Sequence, residues 1–298
     1  MRRALKEVFY GGQRQIGRWG LRLRPQRPTQ RFAVFCLHAI TTGPSSEMMV
    51  TAARFRRQLE GLRAAGFECL TLEQALAAAG GATLAQPGFL LTFDDGYRSV
   101  YEEAVPVLSS LGMTATIFIT PGFINGRTGP PWHSSNAALI SEYRALRGHF
   151  EPMSWNQVRE LAGAGVFEIG SHTMSHPLVG LLAEREIERE LREARAELEQ
   201  QLGRTVYTFS YPYGVRTYGA YSEKSEQLVR ECGYRCSFTM EIERAAVGSG
   251  LYGIPRMGLF AGEDGVDAVA KAYGLYDWVS WAQRGYQRVF SNPHMGVA

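Results

Sequence analysis

FLLTFDDG, residues 89–96, runs an apolar stretch straight into two carboxylates and a glycine. The run FLLTF reads as a buried strand, because it lacks the polar alternation of a half-exposed one. Asp-Asp-Gly after a strand is by itself an ordinary turn, with Gly96 free to take positive φ. Two adjacent carboxylates at the end of an apolar strand are nonetheless costly unless a cation or a proton keeps them company. A metal ion on one of them would offset the repulsion and leave the other free to move protons.

Outward from this stretch, strand-like and helix-like segments alternate. AVFCL (33–37), ATIFI (115–119), VFEIG (166–170), TVYTFS (205–210), YRCSFT (234–239) and GIPRMGLF (253–260) read as strands. Between them lie helical patterns: TAARFRRQLEGLRAAG with Phe55, Leu59 and Leu62 on one face, EEAVPVLSSLG with a proline inside, NQVRELAGAG, and EKSEQLVRECG. The longest, EREIERELREARAELEQQLG, puts Ile187, Leu191, Ala194 and Leu198 on one side. Its charges, Glu186 with Glu190 and Arg185 with Arg189 among them, are expected on a solvated face. Such alternation over some 230 residues predicts a parallel sheet wound with helices, as a barrel or an open sheet. The expected organisation is a basic arm over 1–30, one domain over 31–280 and a tail over 281–298. Residues 121–150 lack periodicity and are expected as a long loop, in which Trp132 and His133 either stack on a ligand ring or anchor the loop. His149 and His294 are given no role.

Titratable residues cluster just past the strands: His38 after AVFCL, Asp94 and Asp95 after FLLTF, His172 and His176 after VFEIG, Tyr213 after TVYTFS. In parallel α/β folds the carboxyl ends of the strands share one face, and sites are built there. His172 and His176, in SHTMSHP, carry three residues between them, a spacing that can aim both imidazoles at one point. Pro177 argues for a loop or short turn rather than a long helix. Two neutral imidazoles and one carboxylate make a facial set that leaves metal positions open to water and substrate.

Composition narrows the class. Hydrophobic residues at 45% and charged residues at 20% of 298 exclude wholesale disorder, and a net charge of +3 gives no case for nucleic acid as a partner. No run reaches the roughly 18 apolar residues of a membrane span. The basic N-terminus lacks the apolar core of a secretory signal, and the four cysteines lack zinc-site spacing and are expected as buried, reduced thiols, so a cytoplasmic location is expected.

With these motifs in place, the sequence resembles the polysaccharide deacetylases, the carbohydrate esterases with the NodB homology domain. TFDDG (92–96), SHTMSH (171–176) and SYPYG (210–214) are similar to the three leading motifs of that family, and the resemblance covers roughly residues 31–260. It implies a distorted (β/α) barrel of about seven parallel strands, a divalent metal, most often Zn2+, and hydrolysis of N-acetyl groups on amino sugars. Carried over, it makes Asp95, His172 and His176 the metal ligands, Asp94 the general base, and the backbone N–H of Tyr213 an oxyanion donor. Those roles suit amide hydrolysis. A metal polarises the acyl carbonyl and acidifies water, a nearby carboxylate takes the proton, and a fixed oxyanion donor contributes roughly 3 kcal/mol.

Two departures stand out. Ser210 occupies the place of the arginine that heads the third motif, and Arg256 in IPRMG is the candidate replacement, with a surface salt bridge as the alternative. The late histidine that supplies the acid is missing from GIPRMGLF. FCLHAI (35–40) resembles the first strand of the circularly permuted branch acting on poly-N-acetylglucosamine, which assigns the acid to His38; a core histidine is the competing reading. The expected partner is an N-acetylated or N-formylated carbohydrate. A basic, Trp-containing N-terminus adds peripheral contact with a membrane or a lipid-linked sugar as an expectation. The alternative function is a carbohydrate-binding or scaffolding barrel that has lost activity. A phosphohydrolase is set aside for want of an Asp-x-Asp motif and a phosphate-cradling loop.

Overall fold

The structure is a computed structural model that describes residues 29–43, 45, 46, 48–126 and 150–280. Trp132, His133, His149, His294, the N-terminal arm up to residue 28 and the expected tail fall outside these residues.

Strands β1 (Arg31–Leu37), β5 (Gly88–Phe93), β6 (Ala115–Ile119), β7 (Phe167–Ser171), β8 (Thr208–Ser210) and β9 (Cys236–Phe238) lie side by side in that order, each parallel to the next. Between β1 and β5 the chain forms β2 (Ala39–Thr41), β3 (Met49–Thr51) and the short β4 (Glu68–Cys69). β2 and β3 pair with each other, and β4 extends the main sheet beside β5. After β9, β10 (Ala245–Ala246) runs antiparallel to β1, and β11 (Met257–Gly258) runs parallel to it. Ile254 bridges β9 at Phe238, so residues 254–258 reach from one edge of the sheet to the other. The sheet is thereby curled into the distorted barrel expected from the resemblance.

The strands are apolar on both faces because helices cover one side and the barrel interior fills the other. Every residue of β5 and β6 is buried. Helix α1 (Ala52–Ala64) lays Phe55, Leu59 and Leu62 into the core; α2 (Leu72–Ala79), α4 (Trp155–Gly163) and α6 (Glu223–Glu231) each begin with a side-chain cap, from Thr71, Ser154 and Ser222. These caps satisfy backbone N–H groups that the first helical turn leaves free. The segment EEAVPVLSSLG divides rather than forming one helix. Val100–Ala104 makes a wide turn, and α3 (Val105–Leu111) starts there with its proline in the first turn, where a missing N–H costs nothing. Helix α5 (Glu184–Leu202) buries Ile187, Leu191, Ala194 and Leu198 as expected, and α7 (Gly265–Ala272) closes the order.

Glu190 corrects the reading of α5. It is buried, whereas Glu186, Arg185 and Arg189 are exposed. Position 190 falls three residues after Ile187 and four before Ala194, so helical geometry carries it onto the apolar side.

Candidate active site

Asp94 and Asp95 follow directly on β5. Asp94 is tied back by its N–H to the Leu37 carbonyl at the end of β1, 3.0 Å away. Asp95 and Gly96 then both turn left-handed, with φ 73° and 83°. At Gly96 a Cβ would come within 2.9 Å of Ile119 Cδ1, so the tight turn also needs a small residue. The turn throws the two carboxylates to different partners.

Asp94 faces Arg256. Nη1 and Nη2 of the guanidinium each donate to one carboxylate oxygen at 2.7 Å. The other N–H groups are used as well: Nε donates to the Thr239 carbonyl (3.1 Å), Nη1 to Thr92 Oγ1 (3.0 Å) and Nη2 to Ser210 Oγ (2.6 Å). The guanidinium also lies over the Phe118 ring, 5.4 Å from its centroid. Arg256 is fully buried. The surface salt bridge held open for it is therefore excluded, and Ser210, in the place of the expected arginine, is a hydrogen-bond partner of its replacement. Burial pushes the Asp94 carboxyl up, but Arg256 foremost, then His172 and His38, outweigh it and hold the group near about 2. Cys36 Sγ lies 3.4 Å from Asp94 Oδ2 and is buried, which pushes its thiol well up and keeps it a donor.

Asp95 faces the histidines. Its Oδ1 lies 3.2 Å from His176 Nε2 and 3.7 Å from His172 Nε2, and the two rings meet edge-on at 4.9 Å. His172 Nδ1 is 2.8 Å from the Ser210 carbonyl, and an N–H donated there leaves Nε2 with a free lone pair aimed at Asp95. Burial, helped by the charges of His176 and Arg256, pushes His172 down to about 4 against the pull of Asp94 and Asp95. Asp95 is raised by burial yet ends well below the usual carboxylate range, because His176, His38 and His172 stabilise its charge.

This set fits a divalent ion. Asp95, His172 and His176 are all buried, and one ligand atom from each lies within 4.8 Å of the others. Ligand bonds of about 2.0–2.1 Å at tetrahedral angles put donors roughly 3.3 Å apart, close to the separations found. Asp95 Oδ1 is fully enclosed, and although the imidazole nitrogens of His176 and His172 stand 3.2 and 3.7 Å away, neither meets it in a well-formed hydrogen bond among the described residues. An orphaned buried carboxylate oxygen is expensive unless something positive meets it.

The remaining predicted residues arrive at the same mouth. His38 is half-buried, with a ring nitrogen within 4.8 Å of an Asp94 oxygen and of Cys36 Sγ. Tyr213 takes φ 61°, sets its half-exposed ring edge-on to His176 at 4.8 Å, and its N–H donates to no described residue. The structure thus brings together His38, Asp94, Asp95, His172, His176 and Tyr213. All four cysteines are unpaired, and three are buried, as expected, with Cys69 half-buried.

Two participants escaped the sequence reading. Cys36 touches the carboxylate of Asp94; its position two residues before His38, on the same face of β1, is the signal that could have found it. Glu190 accepts hydrogen bonds from Ser175 N–H (2.8 Å) and Oγ–H (2.7 Å), inside the loop between the two histidines. In that loop Thr173 and His176 are left-handed, with φ 64° and 63°, a conformation that costs roughly 1–2 kcal/mol per residue without glycine.

Comparison with known proteins agrees with this geometry. The polysaccharide deacetylase family model matches residues 82–237. YxkH of Bacillus subtilis (strain 168), provisionally named a polysaccharide deacetylase, is 25% identical over 255 residues, which span 85% of this chain and 78% of that protein. The poly-β-1,6-N-acetyl-D-glucosamine N-deacetylase of Staphylococcus aureus is 23% identical over 218 residues, 70% of this chain and 67% of the relative. Among solved structures, IcaB from Ammonifex degensii superposes with a TM-score of 0.66 at 25% identity, over 81% of this chain and 98% of that one. The chain belongs to the polysaccharide deacetylase family.

Proposed function

We propose that this chain is a metal-dependent hydrolase that removes N-acetyl groups from an amino-sugar polymer. One observation carries the reading: Asp95, His172 and His176 converge on a buried point beside a second carboxylate, Asp94, that is held apart from them by Arg256. Asp95 Oδ1 and the Nε2 atoms of both histidines would hold the metal. An ion there would supply what the side chains lack, namely positive charge against the acyl oxygen and acidity in the attacking water, which so weak a base as Asp94 requires.

The residues divide the remaining work. Asp94 is ionised at neutral pH, and Oδ2, 3.8 Å from His172 Nε2, is the oxygen turned toward the ligand set. That oxygen accepts the proton of the attacking water. The Tyr213 N–H, without another acceptor among the described residues, donates to the oxygen that gains charge as the acyl carbon becomes tetrahedral. His38, near both carboxylates, hands a proton to the departing amine nitrogen. Arg256 fixes the carboxylate plane of Asp94 through its paired N–H groups. The inactive-scaffold alternative rested on Ser210; with Arg256 in the missing arginine's place, that argument loses its basis.

The names of the relatives point to N-acetylglucosamine polymers as the substrate class. Acetate release from β-1,6- and β-1,4-linked N-acetylglucosamine oligomers by the zinc-loaded chain tests the proposal. Release that falls on the order of 10²–10⁴-fold in Asp94→Asn is expected; no release from any oligomer contradicts it.

A further inference from the structure

The loop that carries both histidines is held from outside by a residue that touches neither. Glu190 lies on α5, 8% exposed, and no lysine or arginine pairs with it among the described residues. A carboxylate so placed is normally matched by a cation. Here its two oxygens are met instead by one residue, Ser175, through N–H at 2.8 Å and Oγ–H at 2.7 Å. Ser175 is the residue immediately before His176. The loop is otherwise fastened at its start, where His172 N–H donates to the Ile119 carbonyl and Thr120 Oγ–H to the His172 carbonyl, at its middle by Gly122 N–H to the Met174 carbonyl, and within itself by His176 N–H to Thr173 Oγ1. None of these ties from outside the loop reaches Ser175 or His176. With Thr173 and His176 both left-handed, the stretch next to His176 needs its own constraint from outside, and the Glu190 clamp on Ser175 provides it.

We propose that Glu190 is a positioning residue for the metal site: by gripping Ser175 it sets the aim of His176 Nε2 relative to His172 and Asp95. The inference rests on the metal reading above and adds a residue on a separate helix to it. Partners of ligands behave in this way in metal sites generally, and their loss weakens metal affinity by roughly 10–100-fold.

The test is zinc affinity of the metal-free full chain, measured by competition with a chromophoric chelator, alongside thermal unfolding. Glu190→Ala removes both acceptors, and zinc binding is expected to weaken by roughly 10–100-fold. Glu190→Gln keeps an acceptor for the Ser175 N–H and offers its Oγ a donor, so it should restore most of the affinity even where Glu190→Ala folds poorly. Ile187→Val, one turn away on α5, should lower the unfolding temperature and leave zinc affinity unchanged; a purely structural role for Glu190 would make the two positions behave alike. Ser175→Ala should weaken binding in the wild-type background and add little to Glu190→Ala, since both break the same clamp. A wild type that binds zinc beside an equally tight Glu190→Ala variant overturns this proposal alone. A wild type that binds no zinc overturns the metal reading and this proposal with it.

Discussion

Replacing Arg256 by Met removes a buried cation and keeps most of its volume. The guanidinium spends all five N–H groups, two on Asp94 at 2.7 Å and one each on Thr239 O, Thr92 Oγ1 and Ser210 Oγ. Its loss leaves the Asp94 carboxylate, 3% exposed, without its main partner. Breaking a buried pair in this way costs about 3–5 kcal/mol, a large part of the roughly 5–15 kcal/mol that holds a domain together. The variant should therefore fold marginally at pH 7. The sign of its pH dependence follows from Asp94. In the wild type the folded-state value is about 2 against an ordinary 3.8, so this group's stabilisation is present above pH 3.8 and lost as the pH falls through 2. Without Arg256, burial is opposed only by the histidines, and the folded-state value should climb above 3.8. Protonating Asp94 then favours the folded chain, and the variant's deficit should shrink as the pH drops from 7 toward 4. Urea unfolding of both proteins at several pH values measures this, and Arg256→Met combined with Asp94→Asn should recover part of the loss. A deficit below about 1 kcal/mol at pH 7, or one that does not change with pH, would refute the reasoning.

His38→Ala should lower turnover on the order of 10²–10⁴-fold while bound metal, measured by elemental analysis, stays the same; near-normal turnover ends the assignment of the acid. The metal-free chain should lose stability as the pH falls from 6.5 to 4. His172 is held down at about 4 in the fold, so the unfolded chain takes up a proton first, with a slope of up to about 1.4 kcal/mol per pH unit. Urea midpoints that are flat over that window contradict the burial of a neutral imidazole. Cys36→Ala removes the S–H beside Asp94 Oδ2 and should leave zinc affinity intact while raising the apparent pKa of the acidic limb of the pH–rate profile, the limb set by the base; an unchanged profile shows that the thiol is only packed there.

The features legible in the sequence are those fixed by local pattern. The apolar runs before Asp94, His172 and Tyr213 became strands whose carboxyl ends converge, and the spacing of His172 and His176 brought their rings together without a helix. The replacement arginine was nameable as a candidate only. Its contact with Asp94 spans 162 residues and depends on residues 254–258 closing the sheet onto β1, which no local pattern specifies. For Glu190 charge and period point opposite ways: its carboxylate predicts a solvated face, but its position belongs to the buried stripe of Ile187 and Ala194, and position wins. Cys36 is the buried, reduced thiol its surroundings predict; its contact with the site comes from the neighbouring strand, where Asp94 follows the residue paired with Leu37. The short β11 shows the same limit, since most of GIPRMGLF is spent on crossing the gap rather than on pairing.

Titration of zinc into the metal-free chain, with Asp95→Ala and His176→Ala beside it, tests the central claim most directly. One ion should bind per chain to the wild type, and removing either donor should weaken it by at least about 10-fold. Equal binding by all three proteins would show that the ion sits elsewhere and that these buried groups have another purpose.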